Sequence, residues 1–401
     1  MRASWQEITM KILIVCQYYW PEQFLINEIA PRLIKDGYEV TVLTGLPNYP
    51  AGIVPEEYKK GKRDEIIDGV RVIRTYEKGR GKGKVDMILN YLSFMFSASR
   101  KAKSLGKYDL VFCYQLSPIT MLAPAIAYKK KHHVPILAYC LDVWPESAQA
   151  HIGKGKFYSL IAKFSKKLYQ QCDKVAVTSE PFISYLNEIN GIPKDKLVYI
   201  PQHANGEMIN IDLTAEDNGI ADFMFAGNLG KGQKIETIVY AAAKLKDKQF
   251  LVHIVGDGSM KNELEQLAMR LGVQDRFVFH GQQSRDKMPK WYQKADALLL
   301  TLRGNNFVGN TMPGKLQTYM TTGKPIFGAI NGAAMQVINE AKCGACVPAE
   351  DAEGLARIML DYIEHPEAYS ECGEHARNYF KKNFTMDVFM EGLEKEMRSL
   401  V

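Results

Sequence analysis

The sequence predicts an α/β protein built from two doubly wound domains that face one another. Short β-branched runs alternate with helix-length segments through the first half of the chain. A less regular stretch, Gln202 to Ala221, interrupts that alternation, which then restarts in the same form. Apolar strands alternating with helices form parallel sheets covered on both faces, so two such series around one irregular joint form two domains. The boundaries read as an N-terminal domain over 1–202 and a C-terminal domain over 203–384, with a closing helix near 385–401 that could return to the first.

The elements follow in order. The first series is KILIVC, YEVTVLT, VRVIRTY, DLVFCY, PILAYC, KVAVTS and LVYIP. The second is DFMFAG, FLVHIVG, RFVFHG, ALLLTL, KPIFGA and GACVP. Each run is five to seven residues long and rich in Val, Ile, Phe or Leu, the pattern of a strand buried on both faces. In sheets of this kind ligands sit beyond the carboxyl ends of the strands, so the residues that follow each run carry the functional information.

Composition sets the limits. The chain has 401 residues, 46% hydrophobic and 24% charged, which suits two or three globular domains. No apolar run of about 18 residues occurs, so no spanning helix is expected, and MRASWQEIT at the start lacks a signal peptide's apolar core. Met10 reads as an alternative start, since KILIVC follows it directly. Seven cysteines, an odd number, point to a reducing cytoplasm rather than a disulfide framework. Cys343 and Cys346 with Cys372 and His375 could be counted as four zinc ligands, but KCGACVP reads as a strand with small buried cysteines, and no metal is expected.

The net charge of +6 is uneven, about +10 over residues 1–200 and about −4 over the rest. Two runs in the first half combine cations with large apolar residues: EKGRGKGK followed by VDMILNYLSFMFSASRKAK, and GKGKFYSLIAKFSKKLY. Such runs suit the anionic surface of a membrane, or equally a core-packed helix with a solvated basic face. The expected location is cytoplasmic, peripheral on the inner face of the cell membrane. No nucleic-acid partner is expected, because the charge is confined to one half and no helix-turn-helix or zinc-finger spacing is present.

Three loops in the second half could hold an anion. GNLGKGQK, after FMFA, brings Gly227, Asn228, Gly230, Lys231 and Gln233 to a turn that feeds a helix, where free amides and the helix dipole attract phosphate. GDGS follows LVHIVG; its Asp257 could meet a ligand or simply cap the next helix. GNTMPGKLQTYMTTGKP, Gly309 to Pro325, reads as a short helix beginning near Gly314 and closed by Gly323. Lys315 sits in its first turn, where the dipole disfavours a cation, and the stretch contains no acidic residue. A diphosphate accounts for that lysine economically. In the first half, CQYYWPEQFLINEIA supplies Gln23 and Asn27, and LDVWPES supplies Asp142, Trp144 and Glu146. These join carboxylates to an aromatic platform for a sugar ring, with Asp142 as a candidate base or charge stabiliser. No DxD pair occurs, so protein cations and amides must meet the phosphate charge.

Together these residues resemble family four of the retaining GT-B glycosyltransferases, and within it the bacterial O-antigen and capsule subgroup that includes N-acetylfucosamine transferases. The resemblance runs nearly the whole length from Met10. It rests on KILIVCQYYWPEQ with TVLTGLPNYP, LDVWPES, FAGNLGKGQ, GDG, FHGQQSRDKMPKWYQKADALLL and PGKLQTYMTTGKPI, in that order. It implies a GT-B fold, a UDP-sugar donor held mainly by the second domain and no metal cofactor. The acceptor it implies is a lipid-linked saccharide, and the sugar a HexNAc or deoxy-HexNAc. Asn228 falls where many relatives have a diphosphate-binding arginine, and Lys231 or Gln233 near their diphosphate lysine. Gly314 and Lys315 match the loop at the phosphates, Gln283 the uracil position, and Asp142 an aspartate whose usual preceding histidine is Leu141 here. Asn310 and Thr318 stand where relatives carry two glutamates that touch donor sugar and ribose, with Thr311 beside the first. That departure leaves room for a non-catalytic GT-B partner, while His203 and His280 are the only histidines a UDP-HexNAc epimerase could use.

Overall fold

A computed structural model describes residues 9–81, 83–147, 153, 155–304 and 312–401. The chain divides into two compact units, Met1–Ile200 with Met390–Val401, and Pro201–Phe389. The returning C-terminal segment is tied to the first unit by Lys174, which bonds to Glu396 and Ser399, and by the Tyr38 hydroxyl, 3.0 Å from Glu394.

The first unit holds an eight-stranded sheet among the described residues: β1 Lys11–Val15, β2 Glu39–Thr44, β3 Asp64–Ile67, β4 Val70–Arg74, β5 Leu110–Gln115, β6 Ile136–Cys140, β7 Lys174–Val177 and β8 Leu197–Tyr199. Its order is β3-β4-β2-β1-β5-β6-β7-β8, parallel except for β3. The seven runs read from sequence are the seven parallel strands. β3 was not among them, although its signal is local: Asp68 and Gly69 both take positive φ, 50° and 79°, as a two-residue Asp-Gly hairpin turn requires.

The second unit is a six-stranded parallel sheet: β9 Ala221–Ala226, β10 Phe250–Val255, β11 Phe277–Gly281, β12 Ala297–Thr301, β13 Ile326–Ala329 and β14 Gly344–Val347. The order β11-β10-β9-β12-β13-β14 is that of a dinucleotide-binding fold, in which chain progression reverses between β9 and β12. Alternate residues of β9 divide the core. Phe223 and Phe225 join the cluster beneath helices Glu236–Ala243 and Ala352–Glu364, while Met224 and Ala226 join the one that takes Leu316, Tyr319 and Met320. Burial of both faces explains why these strands read as unbroken apolar runs.

Phe223 has no exposed surface and meets Phe250 and Tyr362 edge to face. Phe223→Ala should therefore cost about 3–5 kcal/mol, seen as a lower urea midpoint with an unchanged slope.

Candidate functional site

The carboxyl ends of β9 and β10 come together through glycine. Gly227 takes φ 145° and donates its N–H to Val255 O at 2.8 Å. Gly256 takes φ 142°, and a Cβ there would lie 1.9 Å from Gly227 O. Both positions exclude a side chain, because the two turns are in backbone contact. Leu229 N then bonds to Asp257 O at 2.9 Å, locking one glycine loop onto the other.

The helix Gly314–Thr322 is fixed against this pair. The Tyr319 hydroxyl accepts from Ala226 N at 2.8 Å and donates to Ala226 O at 3.2 Å. Helix and strand end are thus joined one residue before Gly227. That register brings Lys315 over the Phe225 ring, 3.6 Å from its centroid, with Nζ donating to Gln233 Oε1 at 2.8 Å. A Cβ on Gly227 would come within 2.7 Å of Lys315 Cε. No carboxylate pairs with this ammonium among the described residues, and burial lowers its pKa from 10.5 to about 7. A cation held partly out of water beside neutral partners can pair with an anion.

Gly227 also lines a cavity of about 480 Å³ with Ala226, Asn228, Gly256, Asp257 and Gln283, within the range of small-molecule sites. Asn228 is exposed at its rim. The Asp257 carboxylate accepts from Gly258 N at 2.7 Å, and the following helix has no side-chain cap, so capping is not its role. Gln283 donates to His280 O at 2.8 Å. Gly230 opens the turn Lys231–Gln233; Lys231 is exposed, whereas Gln233 reaches Lys315. Thr318 Oγ1 bonds back to Gly314 O at 3.2 Å. Asn310 and Thr311 lie outside the described residues.

His280 Nε2 is 2.9 Å from His253 Nδ1, and His253 Nε2 is 3.0 Å from Asp222 Oδ1. Burial and the neighbouring His253 lower His280 to about 4, so it is a neutral, fixed ring at pH 7. His203 is buried and tilted against Phe389.

In the first unit Asp142 follows β6, and its Oδ2 accepts from Ser117 Oγ at 2.8 Å. The same Ser117 oxygen accepts from Trp144 Nε1 at 2.9 Å, so one hydroxyl, absent from the sequence reading, sets both side chains. Glu146 Oε1 takes the hydroxyls of Tyr158 and Tyr185 at 2.5 and 2.6 Å. Asn27 binds its own loop through Trp20 N and Glu22 O, and Gln23 is exposed. The sequence reading also missed a buried amide-carboxyl network at the ends of β1 and β2. Glu77 Oε1 accepts from Gln17, Asn48 and Asn90 at 2.8, 3.0 and 2.6 Å, and burial pushes its pKa up to about 8. Glu22 Oε1 accepts from the amides of Asn48 and Tyr49, fixing the same loop. These residues are spread from Gln17 to Asn90 with no repeating interval, so no spacing could reveal them.

Two family descriptions match, Glycosyltransferase Family 4 over residues 24–204 and Glycosyl transferases group 1 over residues 212–379. The chain is a glycosyltransferase. The transferase is 24% identical over 414 residues to WcaI of Escherichia coli, named for colanic acid biosynthesis, covering 96% of this chain and 100% of that protein. It is 24% identical to the glycosyltransferase WbjE of Pseudomonas aeruginosa, over 96% of this chain and 94% of that one. Among solved structures, HepE of Anabaena in complex with UDP superposes with a TM-score of 0.73 at 16% identity, covering 98% of this chain and 100% of that one. The sucrose-phosphate synthase of Thermosynechococcus elongatus gives 0.75 at 16%, over 98% and 99%. These likenesses establish the transferase fold as GT-B, two Rossmann-like domains. No group of metal-ligating side chains occurs among the described residues, and all seven cysteines are free.

Two pH dependences follow. An unfolded lysine keeps its proton to about 10.4, whereas folded Lys315 loses it near 7. The unfolded state binds more protons between those values, so this residue's cost to stability is full below pH 7 and fades as pH rises. Lys315→Met should stabilise the free transferase by roughly 2–4 kcal/mol at pH 6 and progressively less toward pH 10, by urea titration. Glu77 has the opposite sign. Its folded pKa is raised, so stability falls as pH rises from 4.5 to about 8. Glu77→Gln should melt close to wild type at pH 5 and above it at pH 8.5.

Proposed function

We propose that this transferase moves a sugar from a UDP-sugar to a lipid-linked saccharide during assembly of a surface polysaccharide such as O-antigen or capsule. We take the reaction to be retaining and independent of metal, and the sugar to be a HexNAc or deoxy-HexNAc. The observation that carries this reading is Lys315: a cation that meets no carboxylate among the described residues, set over Phe225 and against Gly227, where the strand order reverses. A donor diphosphate there supplies the missing negative charge. The UDP bound by HepE, on a chain of similar fold, supports the choice of nucleotide. WcaI, named for colanic acid biosynthesis, supports the choice of pathway class.

The proposed step is a front-face displacement. The bond from the anomeric carbon to the β-phosphate oxygen breaks, and the acceptor oxygen bonds to that carbon on the same face. The acceptor proton passes to the departing phosphate. Lys315 stabilises charge growing on the diphosphate, usually the largest catalytic contribution, helped by glycine-loop amides other than those of Gly227 and Leu229, which bond to Val255 O and Asp257 O; exposed Lys231 adds long-range attraction. Gln283 holds the nucleotide side and Asn228 meets the diphosphate. Asp142, positioned by Ser117, orients the acceptor hydroxyl or supports positive charge at the anomeric carbon. A lipid-linked acceptor places the reaction at the inner face of the cell membrane, with the protein as a peripheral partner.

Incubation with a panel of UDP-sugars, with and without membrane extract, tests the proposal through UDP release and the identity of the sugar transferred. Transfer only with extract, surviving a chelator, supports it. Turnover of UDP-HexNAc without acceptor indicates an epimerase, and no turnover a binding subunit. Lys315→Ala should lower kcat by about 10²–10³; an unchanged kcat removes Lys315 from the mechanism.

A further inference from the structure

Helix Lys84–Ser104 of the first unit has two apolar sides. One stripe, Phe94, Ala98 and Ala102 with the amide of Asn90 at its start, is buried in the unit. The other, Val85, Ile88, Leu89, Leu92 and Phe96, faces solvent, with Val85 69% and Phe96 67% exposed. Its spacing keeps to one side of the helix and runs for about 17 Å at 1.5 Å per residue. Helix Lys156–Tyr169 repeats the arrangement: Phe157, Leu160 and Phe164 are exposed, Leu160 by 63%.

Both helices lie in one layer. The connections β4 to β5, β5 to β6 and β6 to β7 all advance in the same direction along the sheet, and right-handed crossovers place their helices on one face. Helices Lys84–Ser104 and Lys156–Tyr169 flank helix Leu122–His132, on which both pack. Those three helices carry eleven lysines and arginines and a single acid, Asp86, itself paired with Lys78 at 2.5 Å. Soluble proteins seldom expose apolar side chains in such contiguous rows.

We propose that this outer helical layer docks on an anionic lipid bilayer, with the two exposed stripes seated at the level of the headgroups and the flanking cations on lipid phosphates. The inference deepens the lipid-acceptor reading by naming the surface that meets the membrane; it rests on that reading for its purpose, since docking needs no turnover. Charge selects the occupant. A second copy of the chain meeting this face about a two-fold axis would set exposed lysines such as Lys156, Lys163, Lys166 and Lys167 against their own kind, whereas an anionic bilayer neutralises them while accepting the apolar rows.

Flotation of the full chain with phosphatidylcholine vesicles, with and without phosphatidylglycerol, tests the proposal at low and high salt. Binding should be at least about tenfold stronger on the anionic vesicles at low salt and should fall as salt screens the cations. Phe96→Asp with Leu160→Asp should lower partitioning at least about tenfold. Lys163→Gln with Lys167→Gln should weaken anionic binding by about fivefold per charge and leave neutral vesicles unaffected. All variants should keep the wild-type urea midpoint within experimental spread and still release UDP with a water-soluble acceptor. Equal flotation on neutral and anionic vesicles, no flotation of wild type, or substitutions that turn a dimer into a monomer without changing flotation would each overturn the docking. A wrong transferase reading shows separately, as no UDP release from any UDP-sugar whatever the vesicles do.

Discussion

The loops of the second unit converge on one electrostatic debt, the Lys315 ammonium held against Phe225 and Gly227, with the Gln233 amide oxygen as its one short polar contact among the described residues. Everything around it serves close approach. Gly227 and Gly256 lack side chains because each would collide, one with Lys315 and the other with a neighbouring carbonyl. Tyr319 binds both backbone groups of Ala226, which leaves the helix little freedom to carry the lysine elsewhere. An anion entering this place meets a charge already oriented and already stripped of part of its water, the condition under which electrostatic stabilisation is strongest.

The first unit solves a different problem. Its loops after β1 and β2 are held by a carboxyl that accepts three side-chain amides, with Glu22 gripping the backbone at Asn48 and Tyr49. Removing one donor leaves Glu77 Oε1 two others but strips a further group, as loss of Gln17 does for Asn90 Oδ1, so the set behaves as a unit. Ser117 does the same on a smaller scale for Asp142 and Trp144. Both arrangements give irregular backbone a fixed shape where no ladder of strand bonds can.

The sequence made the seven parallel strands of the first unit and the six of the second legible, because burial on both faces leaves runs such as FLVHIVG with no polar interruption. β3 escaped because it is only four residues long and two of them, Asp64 and Glu65, are charged, which leaves no apolar run to read. In the site, Lys315 was legible as a local contradiction between helix dipole and charge. Gln233 was visible only as one of two candidates, since loop sequence does not say which side chain turns inward; it reaches Lys315 while Lys231 stays in water. Glu146 reads as a free carboxylate in LDVWPES, yet two tyrosines far along the chain occupy its Oε1. Contacts formed across tens of residues leave no trace in local pattern, which is also why Ser117 and Glu77 went unread.

The short hairpin that adds β3 has a consequence for how the protein behaves when crowded. A parallel sheet ends in a row of unpaired backbone groups that can recruit a stranger's strand. Here β4 is shielded by a reversed strand only four residues long, crossed by the Arg71–Asp64 and Arg74–Glu65 pairs. The outermost rung is thus brief and charged, a poor template for fibril growth, and that margin is well chosen for a sheet whose inner strands are almost wholly hydrocarbon.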